Sequence, residues 1–429
     1  MMSRILLAFL VGLILVLRGG MARAELNVDI TQGVEGATPI AIVPFAQARL
    51  ADPNLAGIVS SDLGRTGRFT PLAEGQMPES PNAPEQVNFR VWQGQGQDYV
   101  AIGRILPGSR SQYEAEFFLF DAIKGVLVTS GRIPFNAPEF RRTAHRIADL
   151  IYQKLTGEPG ALFATKVAYV ASSGDGKNRE YRLQIADTDG QNPQTIIASP
   201  EPIMSPAWSP DGNRVAYVSF ETRAPAIFIQ TLATGERIKV SAAPGINGAP
   251  AWSPDGRQLA LTLSKDGSPD IYVLDVASRS MRRITNDMAI DTEPNWSRDG
   301  STLVFTSDRG GKPQLYLVSA QGGSPQRLTY EGDYNARGVF SPDGKNIAFV
   351  HGGGGSYRIA VMDLRSHAVR VLTPGHLDES PGFAPNGSMI LYSSKSGGAA
   401  RLFAVSLDGK TRQELPVRGG QVRQPAWSP

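Results

Sequence analysis

From Trp208 to the C-terminus, apolar and polar residues alternate in short runs that return at a fixed interval. The runs "RVAYVSF" (214–220), "QLALTLS" (258–264), "TLVFTSD" (302–308), "NIAFVHG" (346–352) and "MILYSSK" (389–395) place an apolar residue at every second position. That is the pattern of strands, not helices. Each is followed by a second such run, from "AIFIQTL" (226–232) through "RLFAVSL" (401–407), and then by a shorter third, as in "RIKVS" or "PQRLT". Ahead of each first run stands an aromatic-Ser-Pro-Asp-Gly motif: "WSPDG" at 208 and 252, "WSRDG" at 296, "FSPDG" at 340, "FAPNG" at 383 and a cut-off "WSP" at 427. The intervals are 44, 44, 44, 43 and 44 residues. A four-stranded unit with a period of about 40–45 residues predicts one propeller blade per repeat.

The motif reads as a turn. Pro210 presets φ, Asp211 can accept from nearby amides and Gly212 tolerates positive φ. The aromatics Trp208, Trp252, Trp296, Phe340, Phe383 and Trp427 are expected to pack between neighbouring blades. From Lys166, "KVAYVASS", "REYRLQIADTDG" and "PQTIIAS" supply the second, third and outermost strands of a blade with no motif before them. The C-terminus supplies an innermost strand with nothing after it. Residues 422–428 are therefore predicted to pair with 166–172 and close a six-bladed ring, which removes exposed strand edges.

Residues 37–160 do not carry the repeat. "TPIAIVPF" (38–45) reads as a buried strand and "NLAGIVSSDLGRTG" (54–67) as a helix. "DYVAIGRIL" (98–106), "QYEAEFFLFD" (112–121) and "VLVTSGRIPF" (126–135) read as strands. In "PEFRRTAHRIADLIYQKLTG" (138–157), Phe140, Ala144, Ile147, Ala148, Ile151 and Leu155 share a helical face, with Pro138 near its start and Gly157 at its stop. "GEPGA" (157–161) reads as the linker. The expected architecture is an α/β N-terminal domain (37–160) followed by an all-β six-bladed β-propeller (161–429) closed by the C-terminal strand.

The N-terminus changes the reading of charge. Arg4, an apolar run from Ile5 to Leu17 and the small-residue ending Ala22-Arg23-Ala24 form a secretory signal over residues 1–24, with an uncleaved anchor as the alternative. Cleavage after Ala24 removes Arg4, Arg18 and Arg23 and leaves 40 basic against 40 acidic residues. The formal +3 thus belongs to the signal and gives no argument for nucleic-acid binding. The chain has no cysteine, which excludes disulfides, thiol catalysis and cysteine-based zinc sites.

Catalytic signatures are missing. There is no G-x-S-x-G nucleophile elbow and no G-x-x-x-x-G-K-[ST] phosphate loop. "HGGGGSYR" (351–358) falls between the second and third strands of a repeat and reads as a hairpin loop. His145, His351, His367 and His376 include no pair at helical spacing, so no catalytic, cofactor or metal residue is assigned and each is read as solvated or structural. "DTDG" (187–190) resembles the start of a calcium loop but has no Glu at the twelfth position.

What remains is surface. The segments leading from one blade's outer strand to the next blade's inner strand all fall on one face, around the channel mouth: "EPIMSP", "GINGAP", "AIDTEP", "DYNARG", "LDESP" and "GGQVRQP". They mix Asp291, Glu293, Asp333, Asp378 and Glu379 with Arg337 and Arg423. Two readings stand: a mouth that recognises a protein loop or helix, or plain turns.

The chain as a whole resembles the TolB family, the periplasmic propeller component of the Tol-Pal system of Gram-negative bacteria. The resemblance rests on the signal, "PIAIVPF", "QKLTG" before the linker, "SPAWSPDG", "NGAPAWSPDG", "TEPNW", "LVFTSD" and the terminal "PAWSP". It implies WD40-like repeats, no enzymatic activity, no cofactor, and a periplasmic scaffold, monomeric on its own, that supports outer-membrane integrity and constriction at division. It implies two partners, the lipoprotein Pal at the propeller mouth and TolA at the mature N-terminus, and a route exploited in colicin import, with other outer-membrane proteins as further partners. Carried onto this sequence, the Pal-facing positions are Asn247, Gly248, Ala249, Thr292 and Glu293, flanked by Ile246, Asp291, Arg337, Asp378, Glu379 and Arg423. The TolA segment is "ELNVDITQGVEG" (25–36), led by Glu25, Leu26, Asn27, Val28, Asp29 and Ile30. Ile246 departs from the family, where His often precedes "NGAP". The competing expectation is a secreted propeller hydrolase or lyase with a site in the channel.

Overall fold

The computed structural model describes residues 36–47, 54–108, 112–396, 398–417 and 419–429. The signal (1–24) and the expected TolA segment, including Glu25 to Ile30, lie outside the described residues.

The N-terminal domain is built on a mixed sheet. Strands β1 (Thr38–Ile42), β2 (Ala46–Gln47), β3 (Phe69–Pro71), β4 (Tyr99–Pro107), β5 (Gln112–Asp121) and β6 (Val126–Asn136) are ordered β3-β1-β4-β5-β6, with β2 also pairing β4. Alternation along β1 explains its burial on both faces. Ile40 and Ile42 face helices α1 (Leu55–Arg65) and α3 (Phe140–Thr156), in a cluster with Leu55, Val59, Ala144, Ile147 and Ile151. Ala41 and Val43 join Trp92 of the short α2 (Phe89–Gly94) on the other face. Asn54 caps α1 by accepting from Gly57 N–H at 2.6 Å. Gly157 ends α3 in the left-handed region, its φ being 74°. Strand β3 and α2 were not read from the sequence. The first is only three residues long and the second six, too short for a periodicity to register.

The expected linker is fastened down. Asp149 of α3 accepts from the backbone N–H groups of Leu162, Phe163 and Ala164 at 2.7, 2.9 and 2.9 Å, and Tyr152 donates to Glu158 at 2.6 Å. One apolar cluster then runs without a break from α1 and α3 into Val167 and Tyr169 of the sixth blade and Leu391, Leu402 and Leu415 of the fifth.

Six four-stranded antiparallel sheets follow. Blades 1 to 5 begin at Ile203, Asn247, Asp291, Tyr334 and Asp378. Blade 6 takes its inner strand, Gln421–Trp427, from the end of the chain and its other three from residues 166–199. Val422 pairs with Ala171 and Trp427 with Val167, and Ser428 N–H donates to Lys166 O at 2.8 Å. The ring closes as the repeat count predicts.

The motif turns repeat in detail. Ser209 Oγ donates to Asp211 and accepts from Arg214 N–H at 2.9 Å, Asp211 accepts from Asn213 N–H at 3.0 Å, and Gly212 has φ of 69°. The aromatics pack between blades, as Trp252 does among Ile227 and Ile229 of blade 1 and Leu259 and Leu274 of blade 2. They also bond across them. The indole N–H groups of Trp208, Trp252 and Trp296 donate to the carbonyls of Ala426, Ala207 and Ala251 on the preceding inner strand, at 3.0, 3.1 and 3.0 Å. A tryptophan buried there without a partner would carry a desolvation penalty, and the neighbouring strand removes it. The N-terminal domain touches the motif-turn end of the ring: Arg65 Nη1 donates to Thr188 O at 2.9 Å, and Gly160 lies against Asn386 of the blade 5 motif. The mouth is at the opposite end, and the described contacts of the N-terminal domain are with the motif-turn end.

Candidate protein-binding site

The segments ringing the mouth are not loops alone. Their later residues form the first half of each inner strand, and each carries a β-bulge at the same place. The register shifts between Met204 and Ala207, Gly248 and Ala251, Thr292 and Asn295, Ala336 and Val339, Glu379 and Gly382, and Arg423 and Ala426. The bulge residues Ser205, Ala249, Glu293, Arg337, Ser380 and Gln424 have φ of 51, 46, 55, 57, 61 and 51°. Six non-glycine residues in this costly region, one per blade, mark a constraint imposed by the ring. Proline follows the bulge residue in five blades and Gly338 in the fourth. Proline brings no N–H, so the position where the ladder is broken loses no donor. Opposite the bulges lie Tyr169, Tyr217, Leu261, Phe305, Phe349 and Tyr392, all fully buried. A bulge re-aims its side chain, and five of these residues, Ser205, Ala249, Glu293, Arg337 and Ser380, border one cavity enclosed by the inner strands.

Between blades 3 and 6 the mouth holds a concavity of about 390 Å³, lined in part by Glu293, Tyr334, Arg337, Tyr357, Leu377, Glu379, Lys395 and Arg423. Thr306 ties two of these together, its Oγ1 donating to Glu293 at 3.2 Å and accepting from Arg337 N–H at 2.9 Å. Burial, with Glu293 nearby, raises the Tyr334 phenol above its ordinary value. The connecting segments around the mouth also carry exposed apolar residues. Met288 is 95% exposed and Tyr330 72%, with Met204, Ile246, Ile290 and Leu377 also exposed in the equivalent segments. Apolar anchors around a two-signed polar concavity are the ingredients of a protein-recognition surface.

Residues 26–128 match the TolB amino-terminal domain family and residues 152–429 the TolB beta propeller domain family. The chain belongs to the TolB family. It is 72% identical over 419 residues to the Tol-Pal system protein TolB of Methylococcus capsulatus, covering 98% of each chain. It is 59% identical over 412 residues to that of Thioalkalivibrio sulfidiphilus, covering 95% of this chain and 94% of the relative. The crystal structure of TolB from Acinetobacter baumannii matches with a TM-score of 0.86 at 43% identity, over 94% of this chain and 100% of that one. The chain is thus a component of the Tol-Pal system. No helix among the described residues is long and apolar enough to cross a membrane.

The residues expected at the mouth separate into two sets. Ile246, Gly248, Ala249, Thr292, Glu293, Arg337, Glu379 and Arg423 retain exposed or half-exposed surface at the mouth. Asn247, Asp291 and Asp378 do not: they are 1, 0 and 0% exposed. Each opens its inner strand and points into the blade. Asn247 accepts from Ser241 at 2.6 Å and donates to Ala243 O at 2.6 Å. Asp291 accepts from Arg309 at 2.7 Å, and Asp378 from Thr373 at 2.5 Å. They fix the segment that carries the surface residues. Sequence reasoning, drawn to charge, left Met288 and Tyr330 unnamed. Their signal was an apolar residue inside an otherwise polar connection, as in "NDMAID" and "TYEGD".

Proposed function

We propose that the chain is a non-enzymatic periplasmic scaffold that binds the lipoprotein Pal in the propeller mouth and TolA through residues 25–36, coupling the two membranes during envelope maintenance and division. In this reading colicins enter by competing for the mouth. The observation that carries it is the preformed concavity around Glu293 and Arg337, flanked by exposed apolar side chains, on the end of the ring opposite the described residues of the N-terminal domain. Family membership supports the choice of partners.

Calorimetry with the soluble domain of Pal from the same bacterium tests the mouth. Arg337→Glu and Met288→Asp should each weaken binding at least about tenfold, the effect of about 1.4 kcal/mol expected of one anchor near the centre of an interface. Unchanged affinity in both would move the Pal site elsewhere. Deletion of residues 25–36 should abolish TolA binding in the same assay while Pal binding is kept or strengthened. TolA binding that survives the deletion would refute the coupling. Recovery of peptide- or glycan-cleaving activity with no Pal binding would favour the hydrolase reading.

A further inference from the structure

At the junction of the two domains, His145 of α3 is 2% exposed, and its Nδ1 lies 2.6 Å from Asp62 Oδ2 on α1. Asp62 is also paired with Arg65, which reaches across to Thr188 O in the third-to-outer turn of blade 6. An ionised carboxylate only accepts, so Nδ1 carries the hydrogen and the other ring nitrogen faces the junction. That nitrogen, Nε2, is buried without a hydrogen-bond partner. It is aimed at the same turn of blade 6, with Asp189 Oδ2 3.8 Å away. One donor atom from each of His145, Asp187 and Asp189 lies within 4.8 Å of the others. A cavity of about 780 Å³, bounded by Glu139, Arg141, Lys166 and Asn192, opens over His145 and Asp187.

Two kinds of positive charge can answer a buried nitrogen in this setting. One is a proton. Burial opposes it, but the hydrogen bond to Asp62 and the nearby Asp189 outweigh burial and raise the ring's pKa. The other is a metal ion, and the arrangement has the parts of a metal centre: an imidazole oriented from behind by a carboxylate, two further carboxylates and room for water.

We propose that His145 Nε2, Asp187 and Asp189 bind a divalent transition-metal ion of the zinc type that clamps the N-terminal domain to the sixth blade. The ring nitrogen selects against magnesium and calcium, which take oxygen ligands. Arg141 holds the place in the structure. Its guanidinium pairs with Asp189 and lies 3.9 Å from Asp187, and its Nε has no hydrogen-bond partner. It is 25% exposed at the cavity wall, so it can swing into solvent when a dication replaces it. Zinc at about 2.0–2.2 Å from each ligand spaces its donors about 3.4 Å apart. Closing the site therefore takes carboxylate movements of about 1–1.5 Å, which rotation of Asp187 and departure of Arg141 supply. No local pattern joins His145 to this pair of carboxylates, because it stands 42 and 44 residues before them on a different element.

The test uses the chain lacking residues 1–24, freed of metal and titrated with zinc chloride against a competing chromophoric chelator, with magnesium and calcium chlorides in parallel. One equivalent of zinc is expected, with no competition from the other two. His145→Gln should abolish the site. Asp62→Asn, which leaves all three donors in place, should cost about 10- to 100-fold in affinity. Arg141→Met should tighten binding at least about tenfold, a gain that a purely structural role for the cluster does not give. Zinc should also raise the melting temperature of the unsubstituted chain but not of His145→Gln. If His145→Gln disturbs folding, as circular dichroism would report, Asp187→Asn and Arg141→Met decide. Zinc affinity untouched by Asp187→Asn, or not increased by Arg141→Met, overturns the proposal. Replacing His351 and His376 together should change nothing; loss of the site there would also overturn it.

Discussion

Removing residues 421–429 should leave a chain that no longer unfolds in one cooperative step and that associates in solution. The segment supplies the inner strand of blade 6, with Val422 packed in the core that joins the domains and Trp427 donating to Thr165 Oγ1 at 2.8 Å. Among the described residues, its ladder to residues 167–172 is the only strand pairing that joins the two ends of the ring. Each lost backbone hydrogen bond is worth about 1 kcal/mol and the two apolar side chains together several more. The sum is comparable with the whole stability of a typical domain, about 5–15 kcal/mol. The strand Lys166–Ser173 would then present an unpaired edge. Thermal unfolding followed by circular dichroism, with size-exclusion chromatography, checks this. A truncated monomer that melts within a few degrees of the full chain would show that the ring does not depend on its last strand. Loss of the exposed Pro429 alone should be nearly silent.

This closure was legible because the repeat is written in turn chemistry. Five near-identical aromatic-Ser-Pro-Asp-Gly turns and one cut-off copy count the blades, and the missing strand before Lys166 names its own partner. The bulges were not legible. Their residues are Ser, Ala, Glu, Arg, Ser and Gln, so no one side chain is common to all six, and only the proline that follows in five of them leaves a trace. The burial of Asp291 was hidden for a different reason. A carboxylate at the start of a strand reads as surface until its counter-ion is known, and Arg309 lies 18 residues on, beyond the next strand. The tryptophan bonds were hidden likewise, with acceptors 45 residues back in the case of Trp252 and Trp296. Short-range pattern specified the blades, while the contacts between blades, and between domains, depend on long-range partners that no local pattern names.

Arg309→Ala should lower stability by about 3–5 kcal/mol, because it strands the wholly buried Asp291 without its cation. Arg309 also covers the rings of Phe305 and Tyr316, at 5.5 and 5.2 Å from their centroids, so part of the loss is packing. The companion substitution separates the two. Asp291→Asn placed on top of Arg309→Ala should recover a share of the loss, since a neutral amide is cheaper to bury than an unpaired carboxylate. Urea unfolding of the two single variants and the double variant measures this. A cost under about 1 kcal/mol for Arg309→Ala would mean that water reaches Asp291 and that the pair has the small value of a surface ion pair. If the mouth takes Pal as proposed, the same variants should weaken that binding by way of Thr292 and Glu293, which follow Asp291 on the strand.

A ring closed by its own terminus has a fixed schedule. Lys166 N–H waits for Ser428 Oγ across 262 residues of chain, so blade 6 stays three-stranded until the last few residues have been made. The N-terminal domain rests on that same blade, through Arg65 and Thr188, and shares its core. The N-terminal domain therefore rests on a blade that is complete only once residues 421–427 have paired with residues 167–172. Contacts of such long range are slow to form. Pairing of the C-terminal strand thus finishes both the ring and the seat of the N-terminal domain, and a chain lacking that strand would be recognisable by its exposed edge.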